Sequence, residues 1–315
     1  MSPTKRRIRI LEVVLLIAAA LLPLILQALD EAFYIGFATR LLIYALAATS
    51  LNFIVGYGGM VAFGHAAFFG GGAYVVAFLM SAGILSAWVA WPAAMVVTGL
   101  AAAVIGALSL RTRGVYFIMI TLAFAQMIYY SIISLKNAGG DDGLPLDSHS
   151  SLAPFDLSGD MALYWVALLL LALCLYTLDR LTHSRYGRAL AGLRQNEVRM
   201  EALGYPVDRL KLVCFVIGAA IAGLAGALLA NQNGMASPNQ LYWTQSGMLL
   251  VMVILGGVGR RYGGVLGAFA LLGLEEALGL MTEYAHLVIG LALLGVVLFA
   301  PHGLAGLAGQ WRRRA

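Results

Sequence analysis

The stretch Arg180–Lys211, RLTHSRYGRALAGLRQNEVRMEALGYPVDRLK, decides how the rest of the chain is read. It is the one long, heavily charged segment of an oily sequence, and apolar runs flank it on both sides. Within it Ala189, Leu190, Leu193, Met200 and Leu203 fall on one helical arc of about 140°, taking ~3.6 residues per turn. Glu197 interrupts the arc, so the segment reads either as one amphipathic helix or as two short ones that meet there. Gly204-Tyr205-Pro206 then ends the helix, as a glycine followed closely by a proline does. Such a segment either rests on lipid headgroups as a solvated loop or inserts a short helix into the groove of a soluble partner.

Outward from this stretch the composition is that of a membrane protein. Hydrophobic residues make up 61% of the 315 and charged residues 11%, with a mean hydropathy of +0.88. Soluble domains carry roughly 25% charged residues. The 37 glycines suit close helix packing in lipid, where small residues let backbones approach. A hydrocarbon core of ~30 Å needs about 20 apolar residues per crossing. Candidate spans lie at 11–29, 41–56, 60–82, 88–110, 115–135, 161–179, 210–231, 244–258, 264–282 and 287–300. The fold class is therefore all-α and polytopic, with about ten transmembrane helices counted from these runs. Several are short or glycine-interrupted, hence broken or tilted. In the 41–82 region Gly56-Tyr57-Gly58-Gly59 is either a cytoplasmic turn or a break inside the bundle.

Charge tests this map. With the N-terminus inside, the basic residues near 5–9, Arg111, Arg113, those of Arg180–Lys211, Arg260, Arg261 and Arg312 to Arg314 all fall inside, leaving only Arg40 and Lys136 outside or near the outer boundary. One missed span would invert every later loop, so the positive-inside rule favours an even number of spans with both termini cytoplasmic. The first run resembles a signal peptide at its basic start, but it is long and no clear small-residue cleavage site follows, so it reads as an uncleaved span. The whole chain, 1–315, forms one transmembrane domain, with 180–211 inside and 136–160 as an outer loop.

The pI near 9.3 reflects these flanking cations, which hold topology and meet anionic lipid; it does not argue for nucleic acid. Cys174 and Cys214 lie in apolar runs and make neither a disulfide framework nor a metal set. Lys5, Lys136 and Lys211 are the only lysines and none follows a glycine, so no Walker A loop can be written. No HExxH, GxSxG or CxxC occurs. The sequence offers no catalytic group, no metal ligand set and no cofactor site, and the chain is not read as an enzyme.

Polar groups within spans are costly, roughly 2.5–3.5 kcal/mol for an ionisable one at the bilayer centre. Asn52, His65, Thr121, Gln126 and Glu275 are the candidates for a pathway or gate; the alternative for each is a hydrogen bond that glues helices or steadies a broken one. Glu275 and Glu276 face either a water-filled vestibule or a partner subunit, and Arg40 snorkels to the outer interface. The outer loop 136–160 is acidic, with Asp141, Asp142, Asp147, Asp156 and Asp160; Asn231–Trp243 is a second outer segment, with Ser237-Pro238 and the aromatic pair Tyr242-Trp243. Each is either a plain solvated loop or a docking surface, with Asp141, Asp142, Ser237 and Pro238 as the docking candidates.

Glu201-Ala202-Leu203-Gly204 resembles, in shortened form, the E-A-A-x-x-x-G coupling segment of ABC importer permeases. Together with Gly187-Arg188-Ala189-Leu190 and Arg194-Gln195-Asn196-Glu197 it resembles the cytoplasmic segment of LivM-type permease subunits of branched-chain amino acid importers. The match runs along nearly the whole chain. It takes in Leu51-Asn52 through Gly64-His65-Ala66-Ala67-Phe68-Phe69-Gly70, Arg113-Gly114-Val115-Tyr116-Phe117, Thr121-Leu122-Ala123-Phe124-Ala125 and Gly139-Gly140-Asp141-Asp142-Gly143-Leu144. Leu255-Gly256-Gly257-Val258-Gly259 and Pro301-His302-Gly303-Leu304 complete it. The chain departs at Asn137-Ala138, where many relatives carry threonine, and in the Arg260-Arg261 pair.

The resemblance implies a multi-pass permease of the bacterial inner membrane with the fold of the large, cobalamin-importer-like ABC importers. It implies a second permease subunit of LivH type, a periplasmic binding protein that delivers substrate, and two cytoplasmic ATPase subunits that hold ATP and Mg. Those ATPases are expected to couple through Gly187, Arg188, Leu190, Leu193, Arg194, Asn196, Glu197, Glu201, Ala202 and Gly204. The expected activity is ATP-driven import of branched-chain or similar aliphatic amino acids by alternating access. Two alternatives stay open: a permease for urea or short amides, and an ion-coupled secondary transporter that uses Glu275, Glu276 and His65.

Overall fold

Backbone amides that enter lipid must find partners within their own segment, so apolar runs become helices wherever the chain allows. The structure, a computed structural model, describes residues 32–146, 159–279, 285–299 and 303–306, with Leu21, Pro23 and Ser150. Each expected run from residue 41 onward is helical over most of its length. The run at 11–29, apart from Leu21 and Pro23, lies outside the described residues, as do both termini, Asp147, Asp156, Pro301 and His302.

In chain order the helices are α1 (Ala32–Asn52), α2 (His65–Ser81), α3 (Ala87–Ser109), α4 (Val115–Ser134), α5 (Asp160–His183), α6 (Arg185–Gln195), α7 (Glu197–Ala202), α8 (Val207–Asn233), α9 (Trp243–Gly256), α10 (Gly263–Gly279) and α11 (Ala285–Phe299). Five described segments are long and apolar enough to cross a membrane: 33–57, 87–109, 115–134, 161–183 and 207–233; α2 and α9 are shorter apolar helices. α1 is the axle of the bundle and touches α5, α8, α9 and α10. Its apolar window is 89% buried, whereas that of α4 is 17% buried. Exposed Val96, Leu100 and Val104 on α3, and Tyr116, Met119 and Met127 on α4, are therefore surface that a bilayer solvates.

Glycine sets the crossings. A Cβ on Gly72 of α2 would run into the Gly223 carbonyl of α8, and one on Gly226 of α8 into the Phe69 carbonyl of α2. The same holds for Gly256 and Gly267 where α9 crosses α10, and Gly264 of α10 lies against the α1 backbone at Ala48 and Thr49. Lipid gives no hydrophobic drive for helices to associate, so backbone approach and dispersion supply it. Interhelical hydrogen bonds set the register: Gln232 Nε2 to the Gly36 carbonyl at 2.6 Å, and Ala66 N to Ser246 Oγ at 2.8 Å. Each such bond contributes about 0.6 kcal/mol on average, so packing carries the bulk of the stability.

The span expected at 60–82 is shorter than the sequence suggested. α1 passes into a π-turn, Phe53–Tyr57, and the chain then runs without regular structure before α2 begins at His65. Side chains take over the backbone donors at this break. Phe63 N donates to Thr121 Oγ1 at 3.3 Å, and Ser246 accepts from Ala66. A non-helical stretch at membrane depth is tolerated because it is buried in protein and satisfied. At the end of the bundle away from Arg180–Lys211, two-residue strands β1 (Leu144–Pro145) and β2 (Met235–Ala236) pair antiparallel, Leu144 against Ala236 and Pro145 against Met235.

Replacing Gly226 by valine is expected to lower folded yield and the melting temperature of the detergent-solubilised protein, because overpacking costs about 1–3 kcal/mol and here the obstruction is backbone. Gly273, whose Cβ would meet nothing within 4 Å, is the control: Gly273→Ala should melt with the unchanged protein.

Candidate functional site

Ser184 and Asn196 shape the charged segment. Ser184 caps α6, its hydroxyl accepting from Gly187 N at 3.3 Å. Asn196 takes an extended conformation, φ −160°, closes α6 and caps α7 by accepting from Arg199 N at 2.9 Å. Asparagine favours helix N-caps because its side chain replaces the missing turn. The segment is thus two short helices that meet at Asn196-Glu197, an elbow. Gly204, at φ 81°, ends α7 in a Schellman turn, with Tyr205 N donating to the Met200 carbonyl at 3.1 Å and Gly204 N to the Glu201 carbonyl at 2.9 Å.

The apolar arc points inward. Ala189, Leu190, Leu193 and Met200 are buried, and Met200 folds back onto Gly192, so α6 and α7 pack on each other and on the bundle. Of the five arc residues only Leu203 is exposed, at 67%; it is joined by Val198 at 67% and Tyr205 at 46%, both off the arc. Tyr186 donates its hydroxyl to the Leu210 carbonyl at 2.8 Å. Burial, with a smaller push from Cys214, holds its phenol well above the usual range, so it remains a donor at any working pH.

Two polar side chains tie the elbow to the spans. Arg194 donates through Nη1 to the Gly56 carbonyl in the π-turn. Glu197 Oε1 faces Lys211 Nζ of α8 at 2.7 Å and Arg113 Nη2, just before α4, at 3.4 Å. Beside Arg194, Asn52 joins α1 to the loop between α9 and α10. Its Oδ1 accepts from Gly259 N at 2.8 Å and its Nδ2 donates to the Arg260 carbonyl at 2.8 Å. Arg260 in turn donates to the Ala305 carbonyl, and Gly303 packs on Gly257. Asp179 of α5 pairs with Arg261 at 3.6 Å. A small cleft here is lined by Thr49, Tyr57, Leu178 and the Asp179–Arg261 pair. Its two charges face each other, so it offers no unbalanced charge to a ligand.

Of the remaining candidates, His65 is fully buried and its Nε2 lies 2.8 Å from Ser50 Oγ, a contact that steadies the start of α2. Thr121 is buried; it donates to carbonyls of its own helix and accepts from Phe63. Gln126 on α4 buries its Nε2 without a partner among the described residues. Glu275 is half-buried on α10. At the opposite end, Asp141 and Asp142 are exposed and Ser237 half-buried, while Pro238 is buried against Gly143. The β1–β2 pair joins the two segments that carry these residues, which the sequence did not show. Tyr129, Tyr130, Tyr242 and Trp243 cluster beside them with ring centroids 5.0–6.0 Å apart, the aromatic girdle of a membrane interface.

Around the residues that the motifs named, the structure places Val198, Tyr205, Gly56 and Lys211, which the sequence reading did not single out. Asn196 before Glu197 was the legible cap signal; no local pattern marked Gly56 as the acceptor for Arg194. Among the described residues no group of acidic, histidine or cysteine side chains could hold a metal.

An apolar helical bundle that carries a basic elbow at one end is the build of an integral membrane protein. The family model described as "Branched-chain amino acid transport system / permease component" matches residues 33–297, and the chain belongs to that family. The high-affinity branched-chain amino acid transport system permease protein LivM of Salmonella typhimurium (strain LT2) is 31% identical over 296 residues, covering 86% of this chain and 69% of that protein. LivM of Escherichia coli (strain K12) is matched to the same extent. The permease protein LivH of Escherichia coli (strain K12) is 29% identical over 290 residues, 84% of this chain and 91% of that protein. No solved structure matches the chain significantly.

Asn52→Leu leaves Gly259 N and the Arg260 carbonyl unpaired. Each loss costs about 1–3 kcal/mol when the group stays buried, so the variant is expected to melt several degrees lower in differential scanning fluorimetry. A melt equal to that of the unchanged protein would show that the joint does not depend on Asn52.

Proposed function

We propose that this chain is one of two transmembrane subunits of an ATP-driven importer for branched-chain or similar aliphatic amino acids, working by alternating access. The observation that carries the reading is the exposed trio Val198, Leu203 and Tyr205 on an elbow whose other apolar side chains are spent on internal anchoring. Val198, Leu203 and Tyr205 offer apolar side chains that the groove of a partner can take, and an ATP-driven importer whose permease lacks a nucleotide loop needs a separate motor. Two cytoplasmic ATPase subunits, which hold ATP and Mg, dock there. Arg188, Glu201, Ala202 and Gly204 frame the trio, and Leu190 and Leu193 hold its base.

The second subunit is of LivH type, in keeping with the similarity to both LivM and LivH proteins. Counting the 11–29 run, the subunit has about ten spans in the arrangement of cobalamin-importer-like permeases. It lies in the bacterial inner membrane with both termini and the 180–211 elbow in the cytoplasm, the orientation that the basic residues favour. The β1–β2 strap with Asp141, Asp142 and Ser237 then faces the periplasm, where the binding protein docks. Of the three residues an ion-coupled carrier would use, Glu275, Glu276 and His65, the last is buried and hydrogen-bonded to Ser50.

The test is co-purification. Val198→Asp with Leu203→Asp should abolish retention of the ATPase subunits and ATP-dependent uptake of leucine in proteoliposomes, while the permease pair still assembles. Retention of the ATPases by that variant would exclude the elbow as their docking site. Uptake of urea in place of leucine by the unchanged complex would move the substrate to the short-amide class.

A further inference from the structure

Docking alone does not account for where Arg194 and Glu197 point. Both sit at the elbow, one on each side of Asn196, and both reach away from the exposed trio and into the spans. The elbow has other anchors besides them. Leu190 and Leu193 are buried beneath it, Tyr186 binds the start of α8, and Ser184 caps α6. What Arg194 adds is a bond to a different body: the π-turn at the end of α1, the most buried span.

That acceptor is placed to move several elements at once. Gly56 lies backbone to backbone against Gly259, where a Cβ on Gly56 would collide with the Gly259 main chain. Asn52, one turn earlier, binds Gly259 N and the Arg260 carbonyl. The end of α1 and the loop between α9 and α10 therefore form one unit, and the Arg194 guanidinium touches it from the elbow side. The turn itself is the yielding part of α1. It closes with a wide-pitch bond from Gly58 N to the Phe53 carbonyl at 3.2 Å, and π-turns inside α-helices are frequent at functional sites. Across the elbow, Glu197 ties the same junction to α8 and to Arg113, two residues before α4.

We infer that the elbow grips the spans with two side chains, and that Arg194 is the positioning residue that carries ATPase-driven displacement into α1 and the α9–α10 loop. This rests on the proposed docking of ATPases at the elbow. Glu197 is the counter-hold that makes α8 and α4 move with it.

The experiment uses the complete importer reconstituted in liposomes, with three readings: ATPase subunits retained, ATP hydrolysed, and leucine taken up. Arg194→Ala is expected to retain the ATPases and hydrolyse ATP within about twofold of the unchanged complex, while uptake per ATP falls roughly tenfold or more, the scale of one lost charge-assisted hydrogen bond. Arg194→Lys, which keeps a cationic donor, should restore part of that ratio, which a loss of packing would not predict. If Arg194→Ala folds poorly, the Arg194→Lys ratio against the unchanged complex makes the same comparison. An unchanged ratio in Arg194→Ala overturns the inference. So does loss of the ATPases, which would make Arg194 a docking residue. Failure of the unchanged permease pair to retain any ATPase strikes instead at the functional reading beneath, and the inference falls with it.

Discussion

Where α2 crosses α8, backbone meets backbone. Gly72 and Gly226 leave no room for a single extra carbon against the facing backbone, and that contact fixes the separation of the two helices on which α3 and the broken entry to α2 also lean. In water such a crossing would be one of many ways to bury apolar surface. In lipid the tails compete equally for that surface, so close approach is what distinguishes one helix pairing from another. The other glycine crossings, α9 with α10 and α1 with α10, repeat the device. The result is a rigid block around α1, against which anything applied at the ends of the helices must act.

The ends differ in kind. At one, charged side chains and free carbonyls are knitted by Arg194, Glu197, Asn52 and Asp179 into a continuous set of joints. At the other, a two-rung strap and an aromatic cluster close the bundle with few charges buried. Polar joints in a partly hydrated layer are strong enough to hold register and weak enough to rearrange, since each is worth one or two kcal/mol. Glycine crossings in the apolar layer are neither hydrated nor easily re-formed. A permease assembled this way concentrates its adjustable contacts at the face where a motor would act.

The sequence was most legible where periodicity and composition speak directly. The apolar runs, the charged stretch, the glycine-proline stop at Gly204 and the uneven spread of cations could all be read without coordinates. The direction of the amphipathic arc could not. An apolar stripe on a short helix looks the same whether it faces a partner or its own bundle, and here Leu190 and Leu193 chose the bundle while Val198 and Tyr205, outside the stripe, stayed in view. The length of the 60–82 run misled for a related reason. Met60-Val61-Ala62-Phe63 is apolar enough for a helix, but its backbone is used to meet Thr121 and to bring His65 to Ser50. Long-range joints such as Glu197 with Lys211, or Gly143 against Ser237, depend on chain geometry that no local pattern encodes.

The two cysteines have a practical consequence. Cys174 and Cys214 are unpaired and buried in α5 and α8, and they are the only thiols in the chain. Buried thiols in apolar surroundings react slowly with water-borne reagents, so the molecule is nearly silent to maleimide chemistry as it stands. A single thiol introduced at an exposed position would be the only prompt reporter, with no background to engineer away. Spin labels or fluorophores placed on the elbow and on the strap could then follow the two ends of one subunit through a transport cycle.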